Sequence, residues 1–90
     1  MYESEFPLDD SIIYLNHAAV SPWPQRTADA VKRFADENVA VGSRNYLNWV
    51  ATESALRQQL QQLINAACSD EIALLKNTSE ALSVVAYGLP

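Results

Sequence analysis

The last twenty residues of the chain constrain its fold more than any other stretch, because their character changes twice. Residues 72–75 (Ile-Ala-Leu-Leu) are a short, unbroken apolar run, which is typical of a strand covered on both faces. Residues 76–80 are polar, and residues 81–87 are apolar on nearly every side. Gly88 and then Pro90 follow, in the order in which helices commonly end. The pattern predicts a strand, a polar turn and a buried helix.

The polar turn of that pattern has the composition of an anion site. A helix N-terminus presents unpaired backbone N–H groups and the positive end of the helix dipole, and Thr78 and Ser79 add small hydroxyls. Phosphate is the anion that best matches these donors. The turn lacks the glycines of a dinucleotide loop and the Gly-Lys-Ser/Thr of a nucleotide P-loop. The phosphate would therefore belong to a smaller cofactor.

The same turn has a second interpretation that needs no ligand. Asn77 and Glu80 have the spacing of a capping box, in which the Asn oxygen accepts the Glu N–H and the Glu side chain reaches back. The residues alone leave both interpretations open, although burial of the following helix favours a ligand, because α/β folds bind ligands at the carboxyl ends of strands. Lys76 is interpreted as a solvated or phosphate-steering side chain, since a Schiff-base lysine needs a desolvated pocket.

The rest of the chain predicts two long helices and a second short strand. The β-branched and aromatic residues at 12–15 favour a strand. Apolar residues at helical spacing predict a helix from about Gln25 to about Val39, with Pro24 near its first position. A second helix is expected from Leu47 or Asn48 to about Ala67. This stretch is therefore expected to be mostly α, with one or two short strands.

Three further side chains are candidate chemical groups. His17, the only histidine, lies between Asn16 and Ala18, and small neighbours let a ligand approach the backbone, although a lone loop histidine is more often structural. Arg44 follows Gly and Ser in a loop and would pair with a carboxylate or phosphate, or else is a surface arginine. Cys68 is the single cysteine, which excludes an internal disulfide and favours a free structural thiol. The acidic residues show no metal-ligand spacing.

Composition limits the possible classes of protein. A net charge of −5 without a basic run gives nucleic-acid binding little electrostatic support. No apolar stretch reaches the roughly 18–20 residues of a membrane span, and the acidic first residues lack the order of a signal peptide, so a cytoplasmic protein is expected.

A chain of 90 residues buries only roughly 60–65 % of its unfolded surface. Because it cannot surround an all-apolar helix, we expect a fragment of a longer protein or a domain that needs a partner.

Two segments, taken together, resemble the class V aminotransferases and their cysteine desulfurase, selenocysteine lyase and kynureninase relatives. Residues 14–22 (Tyr-Leu-Asn-His-Ala-Ala-Val-Ser-Pro) resemble the opening motif of that family. Residues 76–81 (Lys-Asn-Thr-Ser-Glu-Ala) resemble its phosphate loop, in which small hydroxyl or glycine residues precede Glu and a small residue. Two long helices and a loop fill the interval, as in the family, so the resemblance covers nearly the whole chain.

The resemblance implies a pyridoxal 5'-phosphate enzyme with the α/β fold known as fold type I, usually a homodimer. Its substrate would be an amino acid or amine, and its reaction transamination or lyase chemistry at Cα or Cβ. Residues 1–70 would form an N-terminal arm and small-domain helices, and residues 71–90 would begin the large cofactor-binding domain. The family's cofactor lysine lies beyond Pro90, so no catalytic residue is expected in this chain, which alone should be inert.

The resemblance also implies two groups of site residues, and no metal ligand is among them. The expected cofactor side consists of the turn residues Asn77, Thr78, Ser79 and Glu80. The expected substrate side consists of the loop residues Asn16, His17, Ala18 and Arg44. A non-enzymatic helical interaction domain, docking through its apolar C-terminal helix, is the alternative from a different class. Cofactor absorbance in the parent protein would separate the two.

Overall fold

The structure, a computed structural model, describes residues 2–90 and divides into two compact units, which meet in sequence between Arg44 and Asn45. Its elements in chain order are α1 (Gln25–Val41), α2 (Tyr46–Ile64), a 3₁₀ turn (Ser69–Glu71) and α3 (Thr78–Gly88). The first unit contains α1 and the irregular segment before it, and the second contains the other elements. The three predicted helices are confirmed, with small changes at their ends.

Helix α1 begins directly after Pro24, whose side chain makes no capping hydrogen bond. Glu5, in the N-terminal segment, caps the helix instead. Its backbone oxygen accepts the N–H of Gln25 at 2.6 Å, and its carboxylate Oε1 accepts the N–H of Arg26 at 3.2 Å. The first two orphan donors of the helix are therefore satisfied by one residue of the N-terminal segment. At the other end, Gly42 has φ +57° and ends the helix two residues later than predicted.

Helix α2 ends at Ile64, three residues earlier than the predicted end at Ala67. Asn65 adopts the left-handed conformation with φ 57°, which Asn tolerates better than most residues. The N–H of Ala66 donates to the oxygen of Gln61 at 2.9 Å, while that of Asn65 donates to Gln62 at 3.3 Å. This pair of bonds is a Schellman motif. It turns the chain into the 3₁₀ turn, which packs against α2.

The two predicted strands, at residues 12–15 and 72–75, are absent from residues 2–90 of the structure, so that part of the prediction was wrong. The backbone at Ile72 is nevertheless extended, with φ −105° and ψ 118°. A strand needs a neighbouring strand to receive its ladder of hydrogen bonds, and the described residues contain none. At Ile72 the apolar run therefore has extended backbone without a sheet.

The last helix, which the sequence predicts to be buried in the longer protein, is not covered within this chain. No described residue is buried, and on α3 the exposed fraction is 66 % for Leu82 and 92 % for Tyr87. The apolar residues of α3 have nothing within residues 2–90 to cover them, which agrees with the expectation that this chain cannot surround such a helix.

Candidate functional site

The turn before α3 has the capping arrangement that the sequence predicts. Asn77 is extended, with φ −164° and ψ 171°, and its Oδ1 accepts the N–H of Glu80 at 2.8 Å. The carboxylate of Glu80 reaches back beyond Asn77 and accepts the N–H of Lys76 at 3.3 Å. The same carboxylate oxygen lies 3.9 Å from the Lys76 ammonium. Two side chains therefore hold the turn and leave its outer donors unused.

Those unused donors belong to the first two residues of α3. Within residues 2–90, neither the backbone N–H nor the hydroxyl of Thr78 or Ser79 donates to another group. Both residues are exposed, and the helix behind them is 11 residues long. Its dipole adds positive potential at this end. The turn can therefore offer two N–H groups and two hydroxyls to one anion.

The charges in the turn nearly cancel. Glu80 places a carboxylate in the first turn of α3, where an incoming anion would meet it. Its position toward Lys76 pairs it with a cation, although the lysine side chain is 78 % exposed and such a pair contributes little in water. Binding of an anion here depends on the aligned N–H donors and the helix dipole more than on net charge.

A second candidate feature is a groove in the first unit. Its cavity volume is about 570 Å³, and its lining includes Phe6, Leu8, Tyr14, His17, Pro22 and Pro24. The Tyr14 hydroxyl donates to the backbone oxygen of Val20, which closes the loop that carries the histidine. The rings of Tyr14 and His17 meet edge to face at 5.3 Å. The groove is therefore mainly apolar, with one imidazole in its lining.

The predicted substrate-side residues are only partly brought together. His17 lines the groove, whereas Asn16 and Ala18 lie outside the lining, and all three residues are exposed. Arg44 is exposed, and its backbone N–H donates to the oxygen of Val41 at 3.2 Å. Among the described residues its guanidinium has no ion-pair partner. The turn at 77–80 belongs to the other unit. The substrate-side roles of Asn16, His17, Ala18 and Arg44 remain predictions.

Sequence reasoning missed the ion pair between Glu5 and Arg26. The Arg26 Nε donates to Glu5 Oε1 at 2.8 Å, and a second guanidinium nitrogen donates to Oε2 at 2.9 Å. These hydrogen bonds hold the pKa of the Glu5 carboxyl below its usual value and raise the pKa of Arg26. The two residues are 21 positions apart, and no local pattern links residues at such a separation.

Residues 2–90 contain neither a metal cluster nor a membrane-spanning helix. No group of three or more His, Cys, Asp or Glu side chains in that range could hold a metal ion. None of the described helices combines the length and the apolar character needed to cross a membrane. Cys68 is a free, exposed thiol.

Comparison with known proteins identifies the family. The family model for class V aminotransferases matches residues 13–90, and the chain therefore belongs to the class V aminotransferase family. The resemblance seen in the sequence is thus confirmed. Membership implies fold type I, an α/β fold, for the whole protein, of which residues 2–90 show three helices.

Among its curated relatives are proteins named for one activity of this family. The chain is 34 % identical over 89 residues to a probable cysteine desulfurase of Methanothermobacter thermautotrophicus, with 94 % of this chain and 22 % of that protein covered. It is 36 % identical over 90 residues to a probable cysteine desulfurase of Pyrococcus abyssi, with the same coverage. A cysteine desulfurase of Yersinia pestis (strain Pestoides F) is 32 % identical over 97 residues, with 94 % and 24 % covered. The chain thus spans about a quarter or less of the relatives it matches, and no solved structure matches it.

Proposed function

We propose that this chain is the N-terminal part of a pyridoxal-phosphate-dependent enzyme that acts on an amino acid or amine. Family membership supports the class of enzyme. The single observation that carries the proposal is the pair of unused donor residues, Thr78 and Ser79, at the N-terminus of α3. They lie in the segment that resembles the family's phosphate loop.

In this proposal the turn binds the cofactor phosphate. Thr78 and Ser79 donate their N–H groups and hydroxyls to phosphate oxygens, and the chemistry of these donors fits a dianion. Asn77 and Glu80 hold the turn in shape, because the Glu80 N–H donates to the Asn77 amide oxygen and the Lys76 N–H donates to the Glu80 carboxylate. The bound cofactor would supply an electron sink for bond cleavage at the substrate's α- or β-carbon. This chain's own contribution is to bind the phosphate end of the cofactor.

The relatives narrow the choice of substrate within the family. Because the Methanothermobacter, Pyrococcus and Yersinia proteins are named cysteine desulfurases, we propose cysteine desulfuration ahead of transamination for the whole enzyme. The groove beside His17 is the substrate-side element of the proposal, with Asn16, Ala18 and Arg44 as further candidates. A homodimer in the cytoplasm is part of the same proposal.

A second candidate function has one observation in its favour. The apolar side chains of α3 are exposed, with 56 % of Val85 and 92 % of Tyr87 accessible. A helical interaction domain that docks through this face would bury them on a partner protein. The remainder of a fold type I enzyme would cover the same face, and family membership favours that explanation.

The test is cofactor binding by the full-length protein and its variants. Thr78→Val and Ser79→Ala each remove one hydroxyl and should weaken pyridoxal phosphate binding by about tenfold, the value of a charge-assisted hydrogen bond. Ser83→Ala, on the same helix one turn further along, is the matched control and should leave the affinity unchanged. Full-length protein that shows no cofactor absorbance, or equal affinities in all variants, would refute the proposal and favour the interaction domain.

A further inference from the structure

The ion pair of Glu5 and Arg26 lies at the base of the groove-forming segment. Glu5 immediately precedes Phe6, and Gln25 and Arg26 immediately follow Pro24. The two ends of residues 6–24 are therefore joined by four hydrogen bonds to Glu5: one from the Gln25 N–H, one from the Arg26 N–H and two from the Arg26 guanidinium. We call this set of bonds the clamp.

Both ends of the segment contribute to the lining of the groove. Phe6 and Leu8 follow shortly after Glu5, and Pro22 and Pro24 stand shortly before Gln25. The segment between them has no helix or strand. Without a regular element, the separation of these two sets of lining residues depends on the contacts that join the ends of the segment.

The other hydrogen bonds between side chains and their neighbours in this segment are local and do not join its ends. The Ser11 N–H and hydroxyl donate to Asp9, and the Tyr14 hydroxyl donates to the oxygen of Val20, six positions away. The bond from Tyr14 shapes the loop that carries His17. The clamp, with 21 positions between its partners, acts over the whole segment.

We propose that Glu5 is a positioning residue, which through its clamp to Arg26 sets the width of the groove and the placement of His17 in it. The carboxylate does two things that no other single group in the clamp does. It binds the guanidinium with both oxygens, which fixes the angle as well as the distance. It also caps α1, so that the segment is tied to the axis of a 17-residue helix.

This inference deepens the proposed function, because its effect on substrate binding rests on the groove being on the substrate side. The experiment therefore has one arm that needs no activity. In the full-length protein, Glu5→Gln keeps the size of the side chain but removes its charge and one acceptor. Amide exchange at Arg26 and across residues 6–24 should become roughly fivefold faster, the size of a lost helix cap. Glu53→Gln, which breaks the separate 2.7 Å pair with Arg57 on α2, should leave exchange in that segment unchanged.

The second arm measures turnover of the amino-acid substrate, here cysteine. Glu5→Gln and Arg26→Gln should each raise KM by roughly two- to fivefold with little change in kcat, because an exposed ion pair shifts equilibria modestly. The double variant should show no further rise. Arg26→Lys keeps the charge but loses the bidentate geometry of the guanidinium, so its KM should lie between that of Arg26→Gln and that of the unsubstituted protein.

The outcomes are distinguishable. Unchanged amide exchange in Glu5→Gln would overturn the inference, and so would faster exchange with an unchanged KM. A lower kcat together with a lower melting temperature in Glu5→Gln, at an unchanged KM, would also overturn it, because that pattern indicates a purely structural role. Absence of turnover and of cofactor binding in the unsubstituted protein would refute the proposed function, and the exchange arm would then decide whether the clamp holds the segment.

Discussion

The amide N–H of Glu80 donates to the Oδ1 of Asn77 at 2.8 Å, and this bond sets the residue at which α3 begins. It leaves the N–H groups of Thr78 and Ser79 as the outward-facing donors of the turn. One asparagine side chain thus starts the helix, while the two residues after it keep their donors for a ligand.

Asn77 offers a way to separate helix capping from anion binding. Asn77→Ala in the full-length protein should lower the free energy of unfolding by about 1 kcal/mol, because a helix cap is lost. Asn77→Asp retains a capping oxygen and should preserve stability, yet its negative charge should weaken phosphate binding. Denaturant unfolding and cofactor titration of both variants test this. Equal cofactor affinity in Asn77→Asp and the unsubstituted protein would argue against a phosphate at the turn.

The Glu5 clamp should be sensitive to acid. The Arg26 hydrogen bonds lower the folded-state pKa of Glu5 below its usual value of 4.5. The clamp therefore contributes stability above that value, and this contribution is lost as the pH falls from about 4.5 through the lower folded-state pKa. Amide exchange at Arg26 should accelerate over that range in the unsubstituted protein and not in Glu5→Gln.

A control for the acid dependence is needed because Asp9 also has a pKa lowered by hydrogen bonds, from Ser11. Ser11→Ala removes the hydroxyl bond to Asp9 while leaving the clamp intact. Its exchange at Arg26 should follow the same pH curve as the unsubstituted protein. A shifted curve in Ser11→Ala would show that Asp9 contributes to the effect assigned to Glu5.

The two glycines of the chain should respond oppositely to alanine. Gly42 has φ +57° with nothing within 4 Å of an added Cβ, so Gly42→Ala should destabilise through backbone strain alone, by about 1–3 kcal/mol. Gly88 is helical and also has open space around it, so Gly88→Ala should stabilise by about 0.5 kcal/mol. Denaturant unfolding of the two variants provides the comparison. A neutral Gly42→Ala would mean that the loop can relax out of the left-handed conformation.

The exposed apolar side chains predict how the 90-residue chain behaves by itself. With no buried residue among those described, it should self-associate or show the loose packing of a molten state. Sedimentation measures association, and near-ultraviolet circular dichroism reports the packing of Trp23 and Trp49. A monomer with a cooperative transition and fixed aromatic signals would contradict this prediction.

Helix positions and capping were within reach of sequence reasoning because they depend on neighbours along the chain. The spacing of Asn77 and Glu80 predicted the start of α3, and Pro24 predicted where α1 begins. The predicted end of α2 lies beyond the observed one, because Asn65 adopts the left-handed conformation and ends the helix there. The spacing of apolar residues carries no information about that backbone conformation. Ile72 is extended, but residues 72–75 lacked the partner that would make them a strand.

The sequence by itself determined the three helices and the polar turn, since these follow from capping chemistry, periodicity and backbone preference at adjacent positions. It also carried the two motifs that identify the family. Only the tertiary structure decided that Glu5 clamps Arg26 across 21 positions and that the Tyr14 hydroxyl closes the His17 loop. The physical reason is that contacts between residues apart in sequence depend on what the folded chain brings together in space, which local pattern does not encode.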